Sequence, residues 1–189
     1  MDLLLKDIKR CNICLPFLKD GVNPVVTASP RSKIAIIGQA PGRLVHNSGI
    51  PWDDKSGDRL RDWLNISKVE FYNTDHFAII PMGFCYPGKG KSGDLPPRPE
   101  CAPKWHSLLF EQLEDLKLIL LIGQYAQRYY LKEEMKRNLT ETVKSYKAYL
   151  PKYLPLPHPS PRNNIWLKEN SWFEQDLIPE LQELVKTVV

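Results

Sequence analysis

Short, nearly uninterrupted apolar runs constrain the fold of this chain more than any other feature of its sequence. Residues 33–37 (KIAII) form a compact run rich in isoleucine, and residues 116–122 (LKLILLI) form a second one. Such runs are typical of strands that are buried on both faces, as in parallel sheets. Residues 77–84 and 150–156 have the composition of two more strands. Pro81 should lie at an edge, a bulge or a strand end, because it has no amide hydrogen to donate.

Segments with helical spacing of apolar residues alternate with these runs. They cover residues 3–9, 56–64, 105–116, 124–131 and 172–188. Alternating strands and helices predict an α/β fold with a mostly parallel sheet covered on both faces. Ligands of such folds gather at the carboxyl ends of the strands. The loops after residues 37, 84 and 156 are therefore the first places to search for a site.

The length and net charge of the chain limit the number of domains and the kinds of partner that it can have. Its 189 residues suit a single domain, residues 1–189, and its formal net charge of +4 is a mild lean towards anionic partners. The longest apolar runs are far shorter than a membrane span, and the N-terminus lacks the order of a signal peptide. We expect a soluble intracellular protein.

The four cysteines are the sharpest chemical signal. Cys11 and Cys14 form a C-x2-C pair, and Cys85 and Cys101 form a second, distant pair. Two such pairs can supply four thiolates to one metal centre. This spacing suits zinc and an iron–sulfur cluster equally, and buried free thiols are the alternative. A centre here would connect the N-terminal arm to the proline-rich loop 86–99.

Two loops carry residue types suited to catalysis. Gly38-Gln-Ala-Pro-Gly42 follows the first strand, where glycine lets the backbone approach a ligand closely. His158-Pro-Ser-Pro-Arg-Asn163 follows the last strand, and its prolines hold a histidine and an arginine on a stiff loop. Asp53 and Asp54 precede a predicted helix, where they can act in catalysis or simply cap the helix. The Gly38–Gly42 loop is neither a GxGxxG nor a GxxxxGK[ST] motif, so it gives no support to a nucleotide cofactor.

Together these segments resemble the uracil-DNA glycosylase superfamily. Gly38–Gly42 is similar to its first active-site motif, and His158–Pro161 is similar to its second. The extension to Asn163 is closest to the form in single-strand-selective glycosylases. The cysteine pairs resemble the [4Fe–4S] ligands of the bacterial and archaeal iron–sulfur branches. The resemblance implies a three-layer α/β/α sandwich around a mainly parallel four-stranded sheet.

The resemblance also implies a reaction, hydrolysis of the bond between a flipped-out base and its sugar. His158 would contact uracil O2, Arg162 would enter the vacated stack or bind phosphate, and Asp54 would position water and offset sugar charge. Another branch has an acidic residue where Gln39 stands; glutamine can hold a water but cannot take its proton. Trp52 would stack on the base. The remaining candidate substrate contacts are Gly38, Ala40, Pro41, Gly42, Asp53, Asn73, Ser160 and Asn163.

One position departs from the family pattern. Several branches read the uracil edge with an asparagine on the second strand, and Pro81 stands at about that position. Base recognition would then come from elsewhere, with Asn73, Asn163 and Asn164 as candidates, and hypoxanthine, xanthine or a mismatched base stays open as a substrate. A DNA- or RNA-binding protein that has lost turnover is the alternative to an active enzyme. The resemblance further implies a monomer that acts on DNA in the bacterial cytoplasm, at the nucleoid.

Overall fold

The computed structural model describes residues 1–189, which form four β-strands and nine α-helices. The strands are β1 (Ile34–Ile37), β2 (Phe77–Ile79), β3 (Leu118–Ile122) and β4 (Tyr153–Leu156). The α-helices are α1 (Asp2–Lys9), α2 (Arg43–Ser48), α3 (Lys55–Leu64), α4 (Lys68–Phe71), α5 (Ser107–Phe110), α6 (Gln124–Leu131), α7 (Leu139–Lys144), α8 (Asn164–Glu169) and α9 (Ile178–Val188). None of these helices combines the length and apolar character needed to cross a bilayer.

The four strands form one sheet in the order β2-β1-β3-β4, and every neighbouring pair is parallel. Ile34 pairs with both Phe77 and Leu118, and Ile119 pairs with Tyr153. The two continuous apolar runs thus become the two central strands. The prediction of a mainly parallel four-stranded sheet is confirmed.

The two faces of the sheet bury separate hydrophobic clusters. Ile34 and Ile36 of β1 face a cluster of 19 buried residues that includes parts of α3 and α9. Ala35 and Ile37 face the other way, into a cluster of 17 buried residues that includes parts of α1 and α6. Successive strand residues point to opposite faces, so a strand covered on both sides must be apolar throughout. This arrangement confirms the three-layer α/β/α fold.

Several predicted elements are shorter in the structure, including the closing helix, in which a π-helical turn, Phe173–Leu177, precedes α9. β2 ends at Ile79, before Pro81, and residues 80–88 continue as buried irregular chain. A proline cannot donate to a neighbouring strand, which accounts for this early end. The helix predicted over residues 105–116 is a π-helical turn, Ala102–His106, followed by α5. The last predicted strand begins at Tyr153.

Candidate active site

A pocket of about 500 Å³ lies at the carboxyl ends of all four strands. Gly38 directly follows β1, and Pro81, Gln124 and His158 each lie two residues after β2, β3 and β4 respectively. The strands are parallel, so their carboxyl ends meet at one edge of the sheet. The three loops singled out in the sequence therefore reach one site.

The structure brings most of the predicted site residues into this pocket. Its lining includes Gly38, Gln39, Ala40, Pro41, Gly42, Trp52, Asp54, His158, Ser160, Arg162 and Asn163. Asp53 is outside the lining, and its carboxylate pairs with Lys68 over 2.9 Å. Asn73 precedes β2, at the opposite end of the sheet, where its side chain accepts from the Asp75 backbone N–H. The structure thus does not bring Asp53 or Asn73 to the site.

His158 is held as a neutral hydrogen-bond donor. The backbone N–H of Ser160 donates to His158 Nδ1 over 3.2 Å. A nitrogen that accepts carries no proton, so the ring proton of the neutral imidazole is on Nε2. Burial lowers the pKa of His158 to about 4, against the opposing effect of the nearby Asp54 charge. At neutral pH, Nε2 can donate to a carbonyl oxygen without bringing a positive charge into the pocket.

Trp52 is wedged between two glycines and the histidine ring. Its φ of 56° places it in the left-handed region, which is costly for a bulky residue. Its ring lies 5.6 Å from the His158 ring, and a Cβ on Gly38 would be 2.9 Å from its Cζ2. A Cβ on Gly57 would collide with the Trp52 carbonyl oxygen, which also accepts from Arg61 Nη1. These contacts hold an aromatic surface in the pocket wall.

Asp54 uses its two carboxylate oxygens differently. Oδ1 accepts from the Gly57 backbone N–H over 2.9 Å, so Asp54 is the N-cap of α3. Oδ2 lies 3.9 Å from the point where a Cβ on Gly42 would be, on the pocket side. Capping and catalysis are therefore compatible roles, because each uses a different oxygen.

A small hairpin, residues 88–95, forms a wall that the sequence reasoning missed. Leu95 N–H donates to Gly88 O over 2.8 Å, and Gly90 N–H donates to Gly93 O over 2.6 Å. Its residues Ser92, Gly93 and Asp94 line the pocket. Glycines at positions 88, 90 and 93 are a turn signal, but the segment is so polar that it resembles a solvated loop.

Two of the predicted site residues bind this hairpin. Gln39 Nε2 donates to Leu95 O over 3.1 Å, and Arg162 Nη1 donates to Ser92 O over 3.1 Å. Both motif loops are thus connected to a segment that lies far from them in sequence. Gln124 and Tyr125, at the start of α6, also line the pocket, and no sequence motif pointed to them.

Comparison with known proteins identifies the family. The model of the uracil DNA glycosylase superfamily matches residues 25–182. The chain belongs to the uracil-DNA glycosylase superfamily. DNA glycosylase chemistry is accordingly its class of activity, with DNA as the substrate. The structure is also similar to the crystal structure of wild-type SMUG2 from Pedobacter heparinus, at 13% identity and a TM-score of 0.31, over 82% of this chain and 72% of that one.

Pro81 lines the pocket of this glycosylase through a chain of buried contacts. His106 Nε2 is 3.1 Å from Pro81 O, and its Nδ1 is 2.6 Å from the Tyr130 hydroxyl. A carbonyl oxygen can only accept, so His106 carries its proton on Nε2 and accepts from Tyr130. Burial lowers the pKa of His106 to about 4. A neutral histidine thus fixes Pro81 in the pocket wall, and Pro81 has no side-chain donor to offer a base.

The four cysteines line one small apolar cavity together with Phe84 and Trp105. None of them forms a disulfide. Burial raises the pKa of the Cys85 thiol to about 11 and that of Cys101 to about 12. No group of three or more potential ligands in the structure is arranged to hold a metal ion. The four thiols thus share one cavity, although they lie far apart in sequence.

Proposed function

We propose that this chain is a DNA base-excision glycosylase that removes uracil from DNA. One observation carries the proposal: the donor Nε2 of His158 and the free Oδ2 of Asp54 face the same pocket, beside the ring of Trp52. These groups match the charges that develop when a glycosidic bond breaks. The DNA would be bound by a monomer at the bacterial nucleoid.

The reaction needs opposite charges at two ends of the pocket. As the bond between C1′ and the base nitrogen breaks, its electron pair goes to the base and the sugar becomes cationic. His158 Nε2–H donates to the base carbonyl oxygen and stabilises the negative charge. Asp54 offsets the positive charge and orients the water whose oxygen joins C1′. The water's proton passes to the carboxylate or to solvent, and the departing base takes up a proton.

The pocket requires the base to leave the stack. Extrusion of a nucleotide costs a few kcal/mol and is offset by contacts inside the pocket. The Trp52 side chain lines the pocket and would offer a stacking surface for the flipped base. Asn163 lines the pocket and donates through Nδ2 to His158 O over 2.7 Å, which leaves its carbonyl oxygen available for the base. A carbonyl oxygen there suits the N–H of uracil or hypoxanthine.

A [4Fe–4S] cluster bound by Cys11, Cys14, Cys85 and Cys101 is the proposed cofactor, with zinc as the alternative. Convergence of all four thiols on one cavity supports a shared centre. Four thiolates are the usual ligands of a [4Fe–4S] cluster, and they suit a zinc ion as well. Such a cluster would supply a structural crosslink. Its ligands Cys85 and Cys101 flank the segment that contains hairpin 88–95.

The test is single-turnover excision from oligonucleotides that contain one uracil, in single-stranded and duplex form. Parallel substrates contain hypoxanthine, xanthine or a mismatched normal base. Release of uracil in preference to the others supports the proposal. Preferential release of hypoxanthine would support a DNA glycosylase whose substrate base is hypoxanthine and not uracil. Tight binding with no excision of any base would favour a DNA-binding protein that has lost turnover, for which Pro81 and Gln39 are the supporting residues.

A further inference from the structure

We infer that Asp94 is a second catalytic carboxylate, which acts opposite Asp54 on the sugar and the attacking water. The inference rests on the proposed glycosylase reaction and adds a residue from outside both sequence motifs. It is carried by the geometry around Gly42, by the contacts that hold the hairpin, and by the charge left unpaired in the pocket.

The two carboxylates face one small space above Gly42. Asp94 Oδ2 lies 3.7 Å, and Asp54 Oδ2 3.9 Å, from the point where a Cβ on Gly42 would be. The φ of Gly42 is −77°, which any residue can adopt, so its backbone conformation does not require glycine. The lack of a side chain instead leaves open the space between two carboxylate oxygens.

Each carboxylate has one oxygen engaged and the other free. Asp54 Oδ1 accepts from the Gly57 backbone N–H, and Asp94 Oδ1 lies 3.5 Å from the hydroxyl of Tyr86, which is buried. Both Oδ2 atoms are left towards the pocket. The two residues therefore present equivalent acceptors from opposite walls.

The hairpin holds Asp94 in place from both sides. Arg162 donates to the carbonyl of Ser92, two residues before Asp94, and Gln39 donates to the carbonyl of Leu95, the next residue. Asp94 itself pairs with Lys89 in an antiparallel bridge. Residues from both active-site motifs thus position a carboxylate that belongs to neither. Gln39 and Arg162 act here as positioning residues.

Neither Asp54 nor Asp94 forms an ion pair within the chain. Asp94 is exposed at the pocket mouth, where a negative charge repels the phosphates of the substrate. This repulsion weakens DNA binding, and a charge that stabilises a cation in the pocket would offset that loss. The sugar becomes such a cation as the bond to the base breaks. One carboxylate can then take a proton from water while the other offsets the sugar charge.

The first test measures binding and needs no turnover. Two duplexes of one sequence carry either a cationic pyrrolidine or a neutral tetrahydrofuran ring in place of one nucleoside. Wild-type protein should prefer the cationic ring, and Asp94→Asn should reduce that preference by about tenfold, the scale of one favourable charge interaction. Asp94→Glu should keep most of it. Asp62→Asn, which removes an exposed carboxylate on α3 outside the pocket, is the charge-matched control and should keep all of it.

The second test measures single-turnover excision. Asp94→Asn should be slower by about 10²–10³-fold, whereas its affinity for the neutral analogue should equal or exceed that of the wild type, because a charge that repels phosphate is gone. An unchanged preference for the cationic ring in Asp94→Asn, or no preference in the wild type, would overturn the inference. If wild-type protein excises no base but prefers the cationic ring, and Asp94→Asn reduces that preference, the proposed function fails while the interaction of Asp94 with a cation in the pocket stands.

Discussion

At the scale of single residues, the direction of a side chain distinguishes two neighbouring aspartates, Asp53 and Asp54. The histidine of the proline-rich loop and the first aspartate pair were identified by residue type, and His158 and Asp54 do line the pocket. The choice between Asp53 and Asp54 depends on side-chain direction, which the structure provides. Asp53 points to Lys68, whereas Asp54 caps α3 with one oxygen and turns the other to the pocket.

Replacement of Asp54 by asparagine separates capping from catalysis. Asp54→Asn keeps an oxygen for the Gly57 N–H and so should keep the melting temperature close to wild type. It removes the charge opposite the sugar and should slow single-turnover excision by about 10²–10³-fold, with little effect on DNA binding. Asp53→Asn should lose the ion pair with Lys68 and nothing else, so its excision rate should equal that of the wild type. If Asp53→Asn is the slow variant, the assignment is off by one residue.

At the scale of elements, regular strands and helices were predictable and the hairpin was not. The apolar runs and the helical spacing depend on local sequence, and α6 was predicted with the boundaries that it has, Gln124–Leu131. The hairpin depends on two hydrogen bonds to Gln39 and Arg162, which are 56 and 70 residues from their partners. No local pattern reports a contact of that range. The sequence predicts a DNA contact for Arg162, which stays a prediction; in the free protein its Nη1 donates to Ser92 O.

Arg162 should therefore affect the hairpin before it affects DNA. Arg162→Ala removes the donor to Ser92 O, and we expect faster amide hydrogen exchange at residues 88–95 in the free protein. It should also weaken binding to duplex more than to single strands, because only a duplex leaves a gap that a side chain can fill. Arg59→Ala, which loses a bond to Ser160 O instead, is the matched control for hydrogen exchange in the hairpin. Unchanged exchange with equal losses on both DNA forms would make Arg162 an ordinary phosphate contact.

At the scale of the whole molecule, the spacing of the cysteines predicts a connection between the N-terminal arm and the proline-rich loop 86–99, and the fold can accommodate it. Cys11 and Cys14 lie after α1, Cys85 lies within the irregular segment that follows β2, and Cys101 lies at the start of the π-helical turn. The four thiols reach one cavity although the pairs are more than 70 residues apart in sequence. Which centre they bind does not follow from spacing, because zinc and iron–sulfur clusters both accept four thiolates.

Anaerobically purified protein should be brown and contain iron and sulfide if the centre is a cluster. Cys14→Ser should lose this colour, lower the melting temperature and increase hydrogen exchange in the N-terminal arm and in residues 86–100. The chemistry at His158 and Asp54 should be affected only through this loss of order. Colourless protein with one equivalent of zinc would reject the cluster and retain the four-ligand centre.

Global stability should fall as the pH is lowered through the range in which histidine ordinarily titrates. Burial lowers the pKa values of His106 and His158 to about 4, from an ordinary value of 6.5. Between those values the unfolded chain binds protons that the folded chain excludes, so acid favours unfolding. Each pH unit in this window should cost up to about 1.4 kcal/mol per histidine, and 1 kcal/mol lowers the melting temperature of a domain this size by about 2–4 °C.

The slope of melting temperature against pH separates this effect from other acid effects. His106→Gln should be less stable than wild type at pH 7.5, because Pro81 O and Tyr130 lose the ring between them, yet its melting temperature should fall less steeply towards pH 4.5. Effects of acid on the four cysteines would occur in both proteins and cancel in the comparison. Equal slopes in the two proteins would mean that His106 is protonated as readily in the folded chain as in the unfolded one. In that case the hydrogen bond from Nε2 to Pro81 O, rather than exclusion of water, would dominate its environment, since a charged ring can still donate that bond.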